Sequence, residues 1–247
     1  MKDKNFSIIF YIAIFLTLPN SPVYAQVDFG GISSVIANGS MTQMSAMVEG
    51  PLGKSLLQSG KLGADDRKSL TRFRYRLDYK PSSDVSTAIR KELIASFLKR
   101  KEDFEKSEDV KNFLSSDEPL DKLANLLSDN GLSINNLADV MASYYVSAWE
   151  LVHKKSASAV GLRAVRDQFT VILARNSKIT DLSNMEMQKI AEPMAYLTVI
   201  LGAGGADLLN SGKLEDFHKL QETVTKEFIK QGMDLRDITI TDNGFSF

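Results

Sequence analysis

The chain has 247 residues, with 30 lysines and arginines against 31 aspartates and glutamates, two histidines and no cysteine. A dedicated nucleic-acid-binding protein normally has a clear excess of basic residues, so this charge balance argues against one. Because cysteine is absent, disulfide bonds, thiol nucleophiles and thiolate metal sites are excluded, and the fold must rest on its hydrophobic core.

Residues 1–25 have the pattern of a secretory signal peptide. Lys2 and Lys4 make a basic start, residues 6–18 form an apolar stretch, and Val23 and Ala25 are small residues before a cleavage position. The apolar stretch is shorter than the roughly 20 residues that span a bilayer. We therefore expect cleavage after Ala25, a mature chain without a transmembrane span, and export to the periplasm or the medium of a bacterial cell.

Residues 26–70 differ in composition from the rest of the chain. Seven of the fifteen glycines lie between residues 26 and 66, together with many serines and methionines. This composition predicts a flexible leader with at most a short helix around residues 41–48. The leader would be a tether, a partner-binding arm or a disordered tail, and the tail is the simplest interpretation.

Residues 72–80 alternate between apolar and charged side chains, which predicts a β-strand. Its basic face would bind an anionic lipid, a cell-wall polymer or a nucleic acid, or it would be the solvated face of an edge strand. We favour the edge strand. Residues 236–241 also alternate and are followed by Asp242, Asn243 and Gly244, so they predict a second short strand that pairs with the first.

Apolar residues at three- and four-residue spacing predict helices over residues 84–100, 110–114, 119–128, 137–154, 157–176, 183–209 and 213–230. In residues 137–154 the polar side chains form one narrow stripe, and the apolar arc is wide enough to need partners on both sides. The stripe consists of Asp139, Ser143, Ser147, Glu150 and Lys154. The predicted fold class is mainly α: a multi-helix, bundle-like domain over residues 71–247, centred on this helix, with a small two-stranded β element near the N- and C-terminal ends of the domain.

Two segments carry a resemblance to a known family. Residues 137–150 read Leu-Ala-Asp-x-x-Ala-x-Tyr-Tyr-x-x-x-Trp-Glu, and residues 235–245 read Leu-Arg-x-Ile-x-Ile-Thr-Asp-x-Gly-Phe. Together with the predicted strand that runs into a Pro-Ser helix start, they resemble a family of exported bacterial proteins known only as a domain of unknown function. The resemblance covers about residues 73–245. It implies export and a mainly helical domain, and it implies no activity, cofactor or catalytic residue.

The two histidines each follow a glutamate by three residues, as Glu150 with His153 and Glu215 with His218. Two Glu-x-x-His motifs, with a glutamate from each of two other helices, hold the metals of di-iron and di-manganese bundles. Glu92 and either Glu186 or Glu192 would complete the set. The helix geometry argues against convergence, because Glu150 lies in the polar stripe of its helix and Glu215 lies outside the apolar face of its own.

The function that the sequence favours is a non-enzymatic interaction or envelope-associated domain, because no set of catalytic residues converges. Its partner would be an unknown protein or envelope component, and not a nucleic acid. The alternative is a metal-binding helical bundle enzyme, with iron or manganese at Glu150, His153, Glu215 and His218. A secreted effector or toxin is a third hypothesis, and no residue pattern in the sequence supports it.

Overall fold

The computed structural model describes residues 62–98 and 107–246. The predicted signal peptide, and the predicted leader as far as residue 61, lie outside these residues. The described chain is mainly helical, as its sequence predicts. The α-helices are α1 (Ala64–Tyr75), α2 (Ser83–Leu98), α3 (Ser107–Ser115), α4 (Glu118–Asp129), α5 (Leu137–His153), α6 (Ala159–Ala174), α7 (Ser177–Thr180), α8 (Asn184–Val199), α9 (Gly205–Asn210) and α10 (Leu214–Lys230). The strands are β1 (Thr239–Thr241) and β2 (Gly244–Ser246).

Helix α5 is the core helix that its apolar pattern predicts. Every residue from Leu137 to Leu151 is buried, and α6 and α8 both pack against the helix. The ring of Tyr145 lies 4.9 Å from the ring of Phe169 on α6 and 4.9 Å from the ring of Phe228 on α10. These aromatic contacts join three helices in one hydrophobic core.

The strand predicted over residues 72–80 is wrong. Residues 72–75 are the last turn of α1, and the chain then makes one isolated bridge between Asp78 and Asn136. Phe73 and Leu77 pack into the core, whereas Tyr75 is 74% exposed. Phe73 and Leu77 are four residues apart, so they share one face of a helical turn, and this contact outweighs the alternating pattern. Helix α1 also begins at Ala64, within the segment predicted to be a leader.

The two-stranded sheet exists near the C-terminal end, but its strands are neighbours in sequence. β1 pairs with β2 in antiparallel register, with Ile240 opposite Phe245, so the predicted pairing with residues 72–80 is wrong. Gly244 has a φ of +96°, which favours glycine, and a Cβ there would lie 2.2 Å from Oε1 of Gln168. Gln168 on α6 accepts a hydrogen bond from the N–H of Phe245 at 2.8 Å, which ties the hairpin to the bundle.

The predicted helix over residues 183–209 follows a continuous helical path. Helix α8 passes through Pro193, and one π-helical segment at Ile200–Gly204 leads into α9. A Cβ at Gly205 would lie 2.7 Å from Cδ1 of Leu151, so the small residue permits close packing on α5. In the ranges that the structure describes, no helix has both the length and the apolar character needed to cross a membrane.

Candidate functional site

Four of the five residues in the polar stripe of α5 face the protein interior, and the fifth, Lys154, is exposed. Asp139, Ser143 and Ser147 are fully buried and Glu150 is 2% exposed. The sequence interpretation treated this stripe as pointing away from the interior of the bundle, and that interpretation is wrong. The reason is that neighbouring elements cover α5 on all sides, so its polar groups must find partners inside the protein.

Asp139 is the centre of a buried charge cluster. Its Oδ2 accepts hydrogen bonds from Nη2 of Arg74 at 2.8 Å and from the backbone N–H of Ser133 at 2.7 Å. Its Oδ1 lies 3.9 Å from Nη1 of Arg166, too far for a hydrogen bond. Oδ1 of Asp139 and Nη1 of Arg166 both lack a hydrogen-bond partner among the described residues. The cluster therefore brings one carboxylate from α5 together with guanidinium groups from α1 and α6.

Burial raises the pKa of the Asp139 carboxyl above its ordinary value of 3.8. The Arg74 guanidinium, the Ser133 N–H and the Arg166 guanidinium all favour the ionised form and act in the opposite direction. Desolvation is the larger effect. Asp139 is thus a carboxylate that depends on its arginine partners for its charge.

The segment after α1 is fixed to the loop before α5 by a set of hydrogen bonds. The side-chain amide of Asn136 donates to the backbone carbonyl of Arg74 at 3.0 Å and to Oδ1 of Asp78 at 2.6 Å. The hydroxyl of Tyr79 donates to the carbonyl of Ile134 at 2.8 Å. These hydrogen bonds involve the backbone and the side chains of both segments. The two segments form the walls of a cleft, and the hydrogen bonds hold them at a fixed separation.

An open cleft of about 430 Å³ lies between these two walls. It combines two aromatic side chains, one cation, one anion and three neutral polar residues. Tyr75 forms an exposed aromatic edge, and the buried Tyr79 forms part of the cleft wall. The lining residues are Thr71, Arg74, Tyr75, Asp78, Tyr79, Ser133 and Asn135.

Several polar groups at the cleft remain available to a ligand. Arg74 donates to Asp139 through Nη2, and within the described chain its Nε and Nη1 make no hydrogen bond. Asp78 accepts at Oδ1, and its Oδ2 likewise has no partner there. The side chains of Thr71, Tyr75 and Asn135 make no hydrogen bond to any described residue. One positive group, one negative group and three neutral polar side chains therefore surround one concave surface.

A second polar cluster joins α2 to α8. Oε2 of Glu192 accepts hydrogen bonds from Oγ of Ser86 at 2.7 Å and from Nε2 of Gln188 at 2.9 Å. Oε1 of Glu192 and Nε of Arg90 are buried and have no hydrogen-bond partner among the described residues. The cluster fixes the contact between the two helices.

The first Glu-x-x-His motif takes part in structural contacts at the end of α5. Oε1 of Glu150 accepts a hydrogen bond from the backbone N–H of Ala157 at 2.7 Å. Nε2 of His153 lies 2.8 Å from the carbonyl oxygen of Leu235, and its ring stacks on Trp149 at 4.6 Å. Both side chains thus connect α5 to segments that follow it in sequence.

The second motif lies on the surface of α10. Glu215 pairs with Lys219 at 2.9 Å, which lowers the pKa of the glutamate through a hydrogen bond and charge attraction. Nδ1 of His218 lies 3.0 Å from Oε1 of Gln221. No group of three or more histidine, aspartate or glutamate side chains placed to hold a metal ion occurs within residues 62–98 and 107–246.

The three further metal candidates have different environments. Glu92 is exposed on α2. Glu186 accepts hydrogen bonds from Ser183 in a capping box at the start of α8, and Glu192 belongs to the polar cluster with Gln188. Glu186 therefore bonds the N-cap of its own helix, and Glu192 bonds residues of α8 and α2.

Sequence reasoning missed the cluster of Arg74, Asp139 and Arg166. A signal for it was present, since Asp139 is an acidic residue in a helix whose other faces are apolar. A charge in such a helix needs a counter-charge if the stripe is buried. The sequence does not say which of the 30 basic residues supplies it, because Arg74 is 65 positions away.

Comparison with known proteins gives no relative from which a role could be transferred. The chain matches no family model, no curated protein and no solved structure. The resemblance to a family of exported bacterial proteins therefore stays an expectation from the sequence.

Proposed function

We propose that this protein is a non-enzymatic binding protein and that the cleft beside α1 is its ligand-binding surface. The ligand would be a polar component of the cell envelope or a polar segment of a partner protein. The observation that carries the proposal is the set of polar groups around the cleft that have no partner in the described chain, foremost those of Arg74 and Asp78.

The cleft is prepared for binding before a ligand arrives. Asp139 holds one edge of the Arg74 guanidinium at 2.8 Å, so the arginine does not have to be ordered on binding. The hydrogen bonds of Asn136 hold the opposite wall. A site whose side chains are already fixed loses less conformational entropy on binding, which raises affinity.

Tyr75 would supply the apolar part of the contact. It is 74% exposed, although an aromatic ring of its size usually covers part of the protein surface. An exposed aromatic ring beside polar groups is a common feature of binding surfaces because it gives a large contact area with little loss of side-chain freedom.

The proposal is tested by titrating the mature chain with soluble fragments of bacterial cell wall, with detection by protein NMR. We expect amide resonances of residues 71–79 and 133–136 to shift. Tyr75→Ala should weaken binding by about fivefold, as expected for the loss of one aromatic contact. Ile229→Ala is the matched control, because Ile229 is 46% exposed on α10. Shifts elsewhere, no binding, or equal affinity of Tyr75→Ala and the wild type would contradict the proposal.

We also propose that the protein acts outside the cytoplasm. The basic start, apolar stretch and small residues of positions 1–25 support this proposal. The measurement is mass spectrometry of the N-terminal peptide after fractionation of a bacterial host. A mature chain that begins at Gln26 outside the cytoplasm is expected, and an intact Met1 in the cytoplasmic fraction would contradict it.

A further inference from the structure

The cleft beside α1 contains one charge of each sign. Arg74 and Asp78 both line it, and both keep hydrogen-bonding atoms that no described residue occupies. The remaining lining residues are uncharged. A ligand that carries a single type of charge would contact one of these two groups and leave the other to water, so it would gain less binding free energy than a ligand that contacts both.

Arg74 is suited to a carboxylate. Its guanidinium is planar, and Asp139 occupies one of its terminal nitrogens, Nη2. Its Nε and Nη1 still carry N–H donors, which point in different directions, on a side chain that is 34% exposed. Each of these N–H groups can donate a charge-assisted hydrogen bond to a carboxylate oxygen.

Asp78 is suited to an ammonium group. Asn136 fixes its Oδ1 at 2.6 Å, and the same amide donates to the backbone carbonyl of Arg74 at 3.0 Å. Asp78 is therefore held relative to the segment that carries Arg74. Its Oδ2 can accept a hydrogen bond from a primary ammonium group, which has three donors and no acceptor.

We infer that the cleft takes a zwitterionic ligand of the amino-acid or short-peptide class, with its carboxylate on Arg74 and its ammonium group on Asp78. This inference rests on the proposed binding function of the same cleft. Side chains of the ligand would lie against Tyr75, whose exposed ring accepts apolar and polar groups alike.

The test uses four small probes with the mature chain and NMR titration. The probes are L-alanyl-L-alanine, its N-acetyl derivative, its C-terminal amide and the neutral disaccharide maltose. The N-acetyl derivative lacks the ammonium group and the amide lacks the carboxylate, so each removes one predicted contact. We expect each derivative to bind about fivefold more weakly than the parent dipeptide, as for one partly exposed charge pair.

Variants assign each contact to its residue. In Asp78→Asn the N-acetyl derivative and the parent dipeptide should bind with equal affinity. Arg74 cannot be changed alone without leaving Asp139 buried and unpaired, so Arg74→Gln is compared with the wild-type arginine in an Asp139→Asn background. In Asp139→Asn the amide should bind more weakly than the dipeptide, and in the double variant the two should bind equally.

Two outcomes would overturn the inference and leave the binding function standing. One is that maltose binds at residues 71–79 and the dipeptide does not. The other is that the dipeptide and both derivatives bind there with equal affinity in the wild type. If neither the probes nor cell-wall fragments shift any resonance of the cleft, the inference and the proposed function fail together. The assignment to Arg74 and Asp78 would also be overturned if the dipeptide still bound more tightly than the N-acetyl derivative in Asp78→Asn and more tightly than the amide in the double variant.

Discussion

Nη2 of Arg74 donates a hydrogen bond to Oδ2 of Asp139 at 2.8 Å, and this contact joins α1, a helix without a buried residue, to the core helix α5. The carboxylate is fully buried, whereas the guanidinium is 34% exposed. The two partners therefore differ in how much each depends on the other. Asp139 loses its closest counter-charge when Arg74 is absent, whereas Arg74 is already partly exposed to water when Asp139 is absent.

Arg74→Met should lower the free energy of unfolding by about 3 kcal/mol, because it leaves a buried carboxylate without its closest counter-charge. The measurement is urea unfolding at neutral pH. Asp139→Asn should lower the free energy of unfolding by less, because the Arg74 guanidinium that remains is partly solvated.

The double variant Arg74→Met with Asp139→Asn is the control for this prediction. It removes both charges, so it should be more stable than Arg74→Met alone. If the effects of the two substitutions simply add, the residues do not interact energetically and the prediction fails.

The stability of the wild type relative to Asp139→Asn should depend on pH. Burial raises the pKa of Asp139 above 3.8, so between 3.8 and the raised pKa the folded state binds more protons than the unfolded chain. The contribution of this group to the free energy of unfolding therefore falls as the pH rises through that window, and it is constant above it. Urea unfolding at a series of pH values measures the difference. A relative stability that instead rises with pH would mean that the ion pairs outweigh burial.

Gly244→Ala should destabilise the protein by about 3 kcal/mol, since it combines an unfavourable positive φ with a clash. The φ at this position is +96°, and the new Cβ would lie 2.2 Å from Oε1 of Gln168. Gly212→Ala is the matched control. Its φ is +71° and nothing lies within 4 Å of its Cβ, so it should cost about 1 kcal/mol. Thermal unfolding of both variants gives the comparison, and equal losses would show that the contact with Gln168 is not a constraint.

His153→Ala should lower stability by about 1–2 kcal/mol through loss of the contacts with Leu235 and Trp149. His218 is exposed, so His218→Ala should change stability little. Thermal unfolding is measured before and after incubation with iron or manganese. A metal-dependent gain in melting temperature that disappears in both variants would contradict this structural role and support the metal-binding alternative.

The strongest part of the sequence prediction concerns the helices that bury one continuous apolar face. The pattern of residues 137–154 requires neighbours on both sides, and α5 has them in α6 and α8. The capping box of Ser183 and Glu186 is likewise present at the start of α8. These features are local, so they can be recognised without knowing which other segment supplies the contact.

The errors arise where a contact distant in sequence decides between two local patterns. Residues 72–80 fit a strand by alternation and a helical turn by the spacing of Phe73 and Leu77, and burial against the core selects the turn. The sequence Asp242, Asn243 and Gly244 is typical of a hairpin turn. It therefore favours pairing of β1 with the segment directly after the turn, which is β2. The cleft depends on Arg74, Asp139 and the loop at Ser133, and no local pattern brings those three together.

The attachment of α1 has a consequence for the dynamics of the protein. This helix has no fully buried residue, although Phe73 packs on the core and Asp66 pairs with Arg175 at the C-cap of α6. Because α5 is buried along most of its length, the backbone amides of α1 should exchange with solvent faster than those of α5. The same helix carries one wall of the cleft. A ligand that contacts both walls would therefore favour the docked helix, and its binding would appear as slower hydrogen exchange along Ala64–Tyr75.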